Sequence, residues 1–351
     1  MMRKQVRFGA AILALVFVLV GVSGAFALDV TVDIPTNPTA ASLLQGALNT
    51  EFNDIDANPS DLIKAFATSS VYASQGAAQR GYGEPKLFAV TLGSMVGLKV
   101  GAKPSGIGDY FANIADTIKN DGDVTLGVNV QAISGQFMLN TSRWLLNGLD
   151  LGVRFGAFGL HSIENFGFTT LSFGVVGNYQ LIKEKNLVPI LVKWRGVSLG
   201  SGVIYQNTKM NYAMDLDTVN ATDGSLIDVS IDPKLEFDMK INTVTIPLEA
   251  TTAVQLFSFL NVTLGLGADL AFGNNKLNLG VSGDITDTTL GPIGGTVSVN
   301  GGGKEAPQFF NFKLMTGVGF KIGPVILDVP IVWYPGKDTG VGVGVTLGAT
   351  F

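Results

Sequence analysis

From Leu87 onward, hydrophobic positions recur at every second residue. Phe88, Val90, Leu92, Val96, Leu98 and Val100 share one side of an extended chain, and Ala89, Thr91, Gly93, Gly97 and Lys99 share the other. Val124, Leu126, Val128 and Val130 alternate in the same way with Thr125, Gly127, Asn129 and Gln131. Leu151, Val153, Phe155 and Ala157 alternate with Gly152, Arg154 and Gly156. The pattern returns over 171–181, 190–194, 260–272, 310–322, 325–333 and 341–351. It predicts an all-β chain of about fourteen strands, within a range of 12–16, the least regular lying between Ser201 and Asn242.

A soluble sandwich also alternates, but its second face carries Lys, Glu and Thr for water. Here the second face is rich in Gly, Ser and Asn, as suits an enclosed and crowded interior. The apolar segments approach the roughly 9–11 residues that a tilted strand needs to cross a bilayer. Closing such strands into a ring removes the unpaired edges that hydrocarbon does not tolerate. The expected fold is therefore a transmembrane antiparallel β-barrel of about fourteen strands (12–16). Its short connections are read at 183–186 and 321–324, and its long polar ones at 103–122, 207–225 and 301–308. An even strand count puts both barrel ends on the periplasmic side.

The first 86 residues have a different grammar. Arg3, Lys4 and Arg7, then an apolar run from Ala10 to Val22 and Ala25-Phe26-Ala27, predict a signal peptide over 1–27. Over 28–86, Asn37-Pro38 and Asn58-Pro59 each place a capping residue before a proline, predicting two short helices. Leu44, Leu48, Phe52 and Ile55 form the apolar stripe of the first, and Leu62, Ile63 and Phe66 that of the second. The segment is too short for a core of its own. It is expected to serve as a plug or hatch for the barrel of 87–351, with a small independent helical domain or a periplasmic linker as the alternative.

At the other end, Val343, Val345, Leu347 and Phe351 fall in one lipid-facing row. This resembles the terminal signal by which bacterial outer-membrane barrels are read by the barrel-assembly machinery.

Composition narrows the chemistry. Only 15% of residues are charged and the mean hydropathy is +0.36, yet after the leader no apolar run reaches the roughly 20 residues of a spanning helix. There is no Cys, which excludes disulfides and thiolate chemistry. A net charge of −5 offers no basic surface for nucleic acid. No phosphate-binding loop is present, since Gly303-Lys304 is followed by Glu305 and Gly336-Lys337 by Asp338. His161 is read as a surface residue. The acidic pairs Asp121/Asp123 and Asp215/Asp217 are read as turn residues rather than calcium ligands. The sequence thus points to no catalytic residue, no metal and no cofactor. Arg80, Lys99 and Arg154 stand out, because charge on the inner side of a barrel must be paired or wet.

The layout of export signal, helical hatch, barrel and terminal Phe351 resembles the long-chain fatty-acid (FadL-type) family of outer-membrane transporters. The Gly-rich, charge-poor style is similar to that of spirochaete outer-membrane proteins. The FadL-type family carries an Asn-Pro-Ala motif in its hatch; here Asn37-Pro38-Thr39 and Asn58-Pro59-Ser60 lack the alanine. The resemblance implies an outer-membrane channel for passive uptake of small hydrophobic molecules, gated by the hatch, with Leu44, Leu48, Phe52, Phe66 and Arg80 along the substrate path. The alternative is a surface adhesin or structural barrel whose long loops, 207–225 foremost, bind host or matrix molecules. The partners expected are outer-membrane lipid, the barrel-assembly machinery and a small hydrophobic ligand.

Overall fold

The computed structural model describes residues 24–25, 29–33, 41–42, 45–46, 56–57, 59–82, 85–100, 126–163, 165–215, 219–222, 228–231, 234–287, 296–336 and 338–351. Leu44, Leu48 and Phe52, the 103–122 connection and residues 1–23 and 26–27 of the expected leader lie outside them, as does the side chain of His161; Gly24–Ala25 of that leader pairs with Asp56–Ala57 as a separate two-residue ladder. In chain order the elements are β1 (Asp29–Asp33), α1 (Pro59–Ala73), β2 (Phe88–Val100), β3 (Leu126–Asn140), β4 (Leu149–Ile163), β5 (Phe166–Ile182), β6 (Lys185–Val188) and β7 (Val192–Asp215). They continue with β8 (Val219–Thr222), β9 (Asp228–Ile231), β10 (Lys234–Leu256), β11 (Leu260–Gly273), β12 (Asn275–Asp287), β13 (Thr296–Glu305), β14 (Phe310–Ile322), β15 (Val325–Tyr334) and β16 (Thr339–Thr350).

All sixteen strands belong to one sheet, but the ring within it is smaller than the barrel of 12–16 strands expected from the alternation, because six of the strands lie outside it. Ten of them close a ring, in the order β2-β3-β4-β5-β7-β10-β11-β14-β15-β16, and β16 returns to β2. Every pairing is antiparallel. At the seam Val343 faces Val96 and Leu347 faces Leu92. Phe351 locks it: its carbonyl accepts from the Leu87 and Phe88 amides at 2.6 and 3.2 Å, and its ring stacks on Phe88 at 5.0 Å.

One rim of the ring, which also holds Leu87 and Phe351, carries the tight turns at 183–184, 257–259 and 323–324. The other rim carries the long connections. There β7 and β10 run to 24 and 23 residues, more than twice the length that a bilayer requires, and pair from end to end with a register shift between Thr252 and Val254. Beyond the ring, β12 pairs with the free flank of β10, β13 with β12, and β1 with β13, while β8 and β9 attach to the end of β12. Residues 207–215 and 301–305, read from sequence as loops, are strand. Their polar outward residues suit a sheet in water, whereas the expectation tested only for strands in lipid.

The wall changes sides along its length. On β10 the outer face carries Leu248, Ile246 and Val244, then Asn242, then exposed Lys240, Asp238, Glu236 and Lys234. The inner face does the reverse, from buried Thr245 and Thr243 to buried Ile241 and Met239. The same switch occurs on β7, where exposed Val203 and Tyr205 give way to Lys209 and Asn211, and buried Gln206 and Thr208 to Met210. On β5, Phe173 and Leu171 give way to Thr169, while Ser172 and Thr170 give way to Phe168 and Phe166. Register aligns the switch across strands: Thr170 faces Thr208, and Phe168, Met210, Met239 and Leu277 form one inward layer. Below this plane the strands are apolar outside and polar inside, as lipid demands. Above it they are charged outside and apolar inside, as water demands.

Candidate functional site: the plugged lumen

Pro59, which lacks an amide hydrogen and has a fixed φ, opens α1 at the position anticipated from Asn58-Pro59. The helix lies inside the ring and runs from the long-connection rim toward the short-turn rim. Its composition matches the wall at each depth. Leu62, Ile63, Phe66 and Ala67 are buried in the upper apolar core with Phe166, Phe168, Met210, Met239, Ile241 and Leu277. One turn later, buried Thr68, Ser69, Ser70, Ser74 and Gln75 face the polar lumen. Three of these hydroxyls donate within the helix, Thr68 Oγ1 to Lys64 O at 2.7 Å, Ser69 Oγ to Phe66 O at 2.8 Å and Ser74 Oγ to Val71 O at 2.7 Å, and Thr68 Oγ1 also accepts from the Gln308 amide at 3.1 Å.

Glycine lets the backbones of helix and wall touch. A Cβ on Gly127 would overlap the Ala65 carbonyl, and one on Gly97 would overlap the Ser69 carbonyl oxygen. Tyr72 stacks on Tyr334 with centroids 3.7 Å apart. Below the helix the chain descends to the short-turn rim. Ala77 O accepts from Thr91 Oγ1 at 2.7 Å, Gly81 O accepts from Asn261 Nδ2 at 3.2 Å, and Tyr82 donates its hydroxyl to Asp328 at 3.1 Å.

A charge network fixes this tail. Arg80 Nε and Nη2 donate to the two Glu249 carboxylate oxygens at 2.8 and 2.7 Å, and Nη2 also reaches Gln75 Oε1 at 2.7 Å. Lys313 Nζ bridges Glu249 and Asp269 at 2.6 and 2.7 Å, and Tyr334 donates to Asp269 at 3.0 Å. Arg80, expected as a lumenal charge, is thus paired, and Lys99 forms an ion pair with Asp338 at 3.5 Å. Sequence reasoning passed over Glu249, Asp269 and Lys313. Their signal was present: isolated charges at the inward parity of strands whose other inward residues are uncharged, such as Thr245, Thr251 and Gln255 around Glu249 and Thr263, Gly265 and Gly267 before Asp269.

Of the expected substrate path, Phe66 and Arg80 therefore belong to the plug, at opposite ends of it, Phe66 in the apolar seal and Arg80 in the ionic latch. Val343, Val345 and Leu347 form the exposed outer row of β16, with Phe351 at its end. Outside the bilayer, in the short-turn hairpin, partial burial raises the Glu184 carboxyl, but hydrogen bonds from Lys193 and Arg195 outweigh this and hold it below the usual carboxylate range. Among the described residues no cluster of His, Cys, Asp and Glu is arranged to hold a metal ion.

A family model described as Lsa36-like matches residues 27–351. Curated proteins give no match. Among solved structures, the toluene transporter TbuX of Ralstonia pickettii is 12% identical, with 84% of this chain and 94% of that chain covered and a TM-score of 0.25. The translocator domain of the autotransporter NalP from Neisseria meningitidis is 9% identical, with coverage of 82% and 99% and a TM-score of 0.30. Ail, the attachment invasion locus protein of Yersinia pestis, is 9% identical, with coverage of 76% and 99% and a TM-score of 0.24.

Proposed function

The chain belongs to the Lsa36-like family, and we propose that it is an outer-membrane barrel, shut by its own helix, that holds a β-sheet platform at the bacterial surface for binding molecules outside the cell. The observation that carries this reading is the change of faces at Asn242. Strands that needed only to cross the bilayer would end there. Instead β7 and β10 continue into water and recruit β12, β13 and β1. The extension has an apolar interior into which the first turns of α1 are packed, so it closes the lumen from above. Lys209, Lys234, Glu236, Asp238, Lys240 and Lys276 place charge of both signs on its exposed face.

A second reading, passage of small molecules with α1 as the gate, is favoured by one feature: a cavity between the tail of the plug and the wall, lined by Gln75, Arg80, Arg154 and Glu249. Passage would require the Arg80–Glu249 pair to break and the apolar seal to open.

Two measurements separate the readings. Cells displaying the full chain are tested for adhesion to immobilised extracellular-matrix proteins, and the purified protein is placed in planar bilayers. The display reading expects adhesion that is lost when residues 219–231 are deleted, with silent bilayers. Steady conductance from the intact protein, or adhesion indifferent to the deletion, overturns it.

A further inference from the structure

The cavity below α1 has an unusual charge balance. Arg80 and Arg154 both line it, each with a side chain only 6% exposed. Arg154 Nε and Nη2 share the single acceptor Gln136 Oε1 at 3.0 and 2.6 Å, and Nη1 reaches Ser74 O at 3.4 Å. These acceptors are neutral, and among the described residues no carboxylate lies within ion-pairing distance of Arg154. Arg80 spends Nε and Nη2 on Glu249 and Gln75, while its Nη1 has no hydrogen-bond partner. The cluster thus sets three cations, Arg80, Arg154 and Lys313, against two carboxylates, Glu249 and Asp269. Asp150, the other acid of the lining, stands four residues from Arg154 on β4, about 13 Å away along the strand, toward the short-turn rim.

An uncompensated buried guanidinium is costly unless an anion joins it, and its fork of donors matches two oxygens of one oxoanion. We propose that this cavity binds a small oxoanion, a carboxylate or a phosphate, on the guanidinium of Arg154, beside that of Arg80. The ligand enters from the short-turn rim. The site is independent of any surface binding: it needs neither the extension nor an open pore.

The test uses the full chain folded in detergent, with the heat-dependent gel shift of a closed barrel as the control for folding. Binding heats are measured with sodium acetate and with inorganic phosphate at constant ionic strength. Saturable one-to-one binding of either anion is expected. Arg154→Gln removes the charged donor and should weaken binding about ten- to hundredfold. Gly200→Leu provides a second variant that leaves both arginines in place. A Cβ at Gly200 meets nothing nearer than 3.7 Å, so the larger side chain fills cavity space and should weaken binding comparably. Absence of binding to both anions by the folded wild type overturns the proposal. So does wild-type affinity in either folded variant.

Discussion

Arg80 and Glu249 lie 169 residues apart in sequence and form a two-pronged ion pair inside the ring, with prongs of 2.8 and 2.7 Å. The pair ties the tail of the plug to β10. Glu249 also holds Lys313 of β14, so one carboxylate fastens the plug to the wall and β14 to β10 across β11, which lies between them. Breaking a buried pair strands the partner left behind, at a cost of about 3–5 kcal/mol. Arg80→Ala should therefore lower the temperature at which the folded gel band converts to the unfolded one, and should raise the frequency of transient openings in planar bilayers. Arg80→Lys keeps the charge but not the two-pronged geometry, and should restore only part of the stability. An unchanged melting temperature in Arg80→Ala would show that the latch does not hold the plug.

The fit between helix and wall makes a second expectation. Gly127→Ala puts a methyl group into the Ala65 carbonyl, where neither backbone can yield, and should cost about 1–3 kcal/mol. Gly280, with nothing within 4 Å of its notional Cβ, is the matched control. Gly280→Ala should stay within about 0.5 kcal/mol of wild type in the same denaturant titration.

The switch of faces on β10 can be tested from the outside. Leu248→Lys puts a charge into the lipid-facing band and should destabilise the folded barrel in lipid vesicles by about 2–4 kcal/mol. Lys240, eight residues along the same outward row, lies beyond the switch. Lys240→Leu should change stability by no more than about 0.5 kcal/mol. Equal penalties at the two positions would remove the boundary.

The direction of α1 makes a topological prediction. Because the helix descends from the long-connection rim and β1 pairs with β13 beyond that rim, the segment before the helix emerges on the side opposite Phe351. The absence of native Cys makes a single introduced thiol a clean reporter. On intact cells a membrane-impermeant maleimide should label Thr31→Cys but not Ser142→Cys, which lies in a turn of the short-turn rim. The converse labelling would invert the orientation.

Much of the barrel was legible from residue parity. Thr91, Gly97, Lys99, Asn129 and Arg154 point inward as the alternation required, because a pleated strand sends successive side chains to opposite faces whatever surrounds it. The proline after Asn58 marked the start of α1 for an equally local reason. The plug's partners were not legible in this way. Arg80 announced a lumenal charge, but choosing Glu249 over Asp269 or Asp328 depends on strand register and on how deep the helix sits.

The sequence by itself determined that these strands have two unlike faces, that a ring would have to close around the smaller and more polar one, and that a helix precedes them. Only the tertiary structure decided which stretches belong to the ring of ten and which to the sheet above it. The period of two is unbroken through Asn242, and an apolar row looks the same in sequence whether it faces hydrocarbon or a protein core. What separates the two cases is the company each face keeps, and that is set by pairings between residues far apart in the chain.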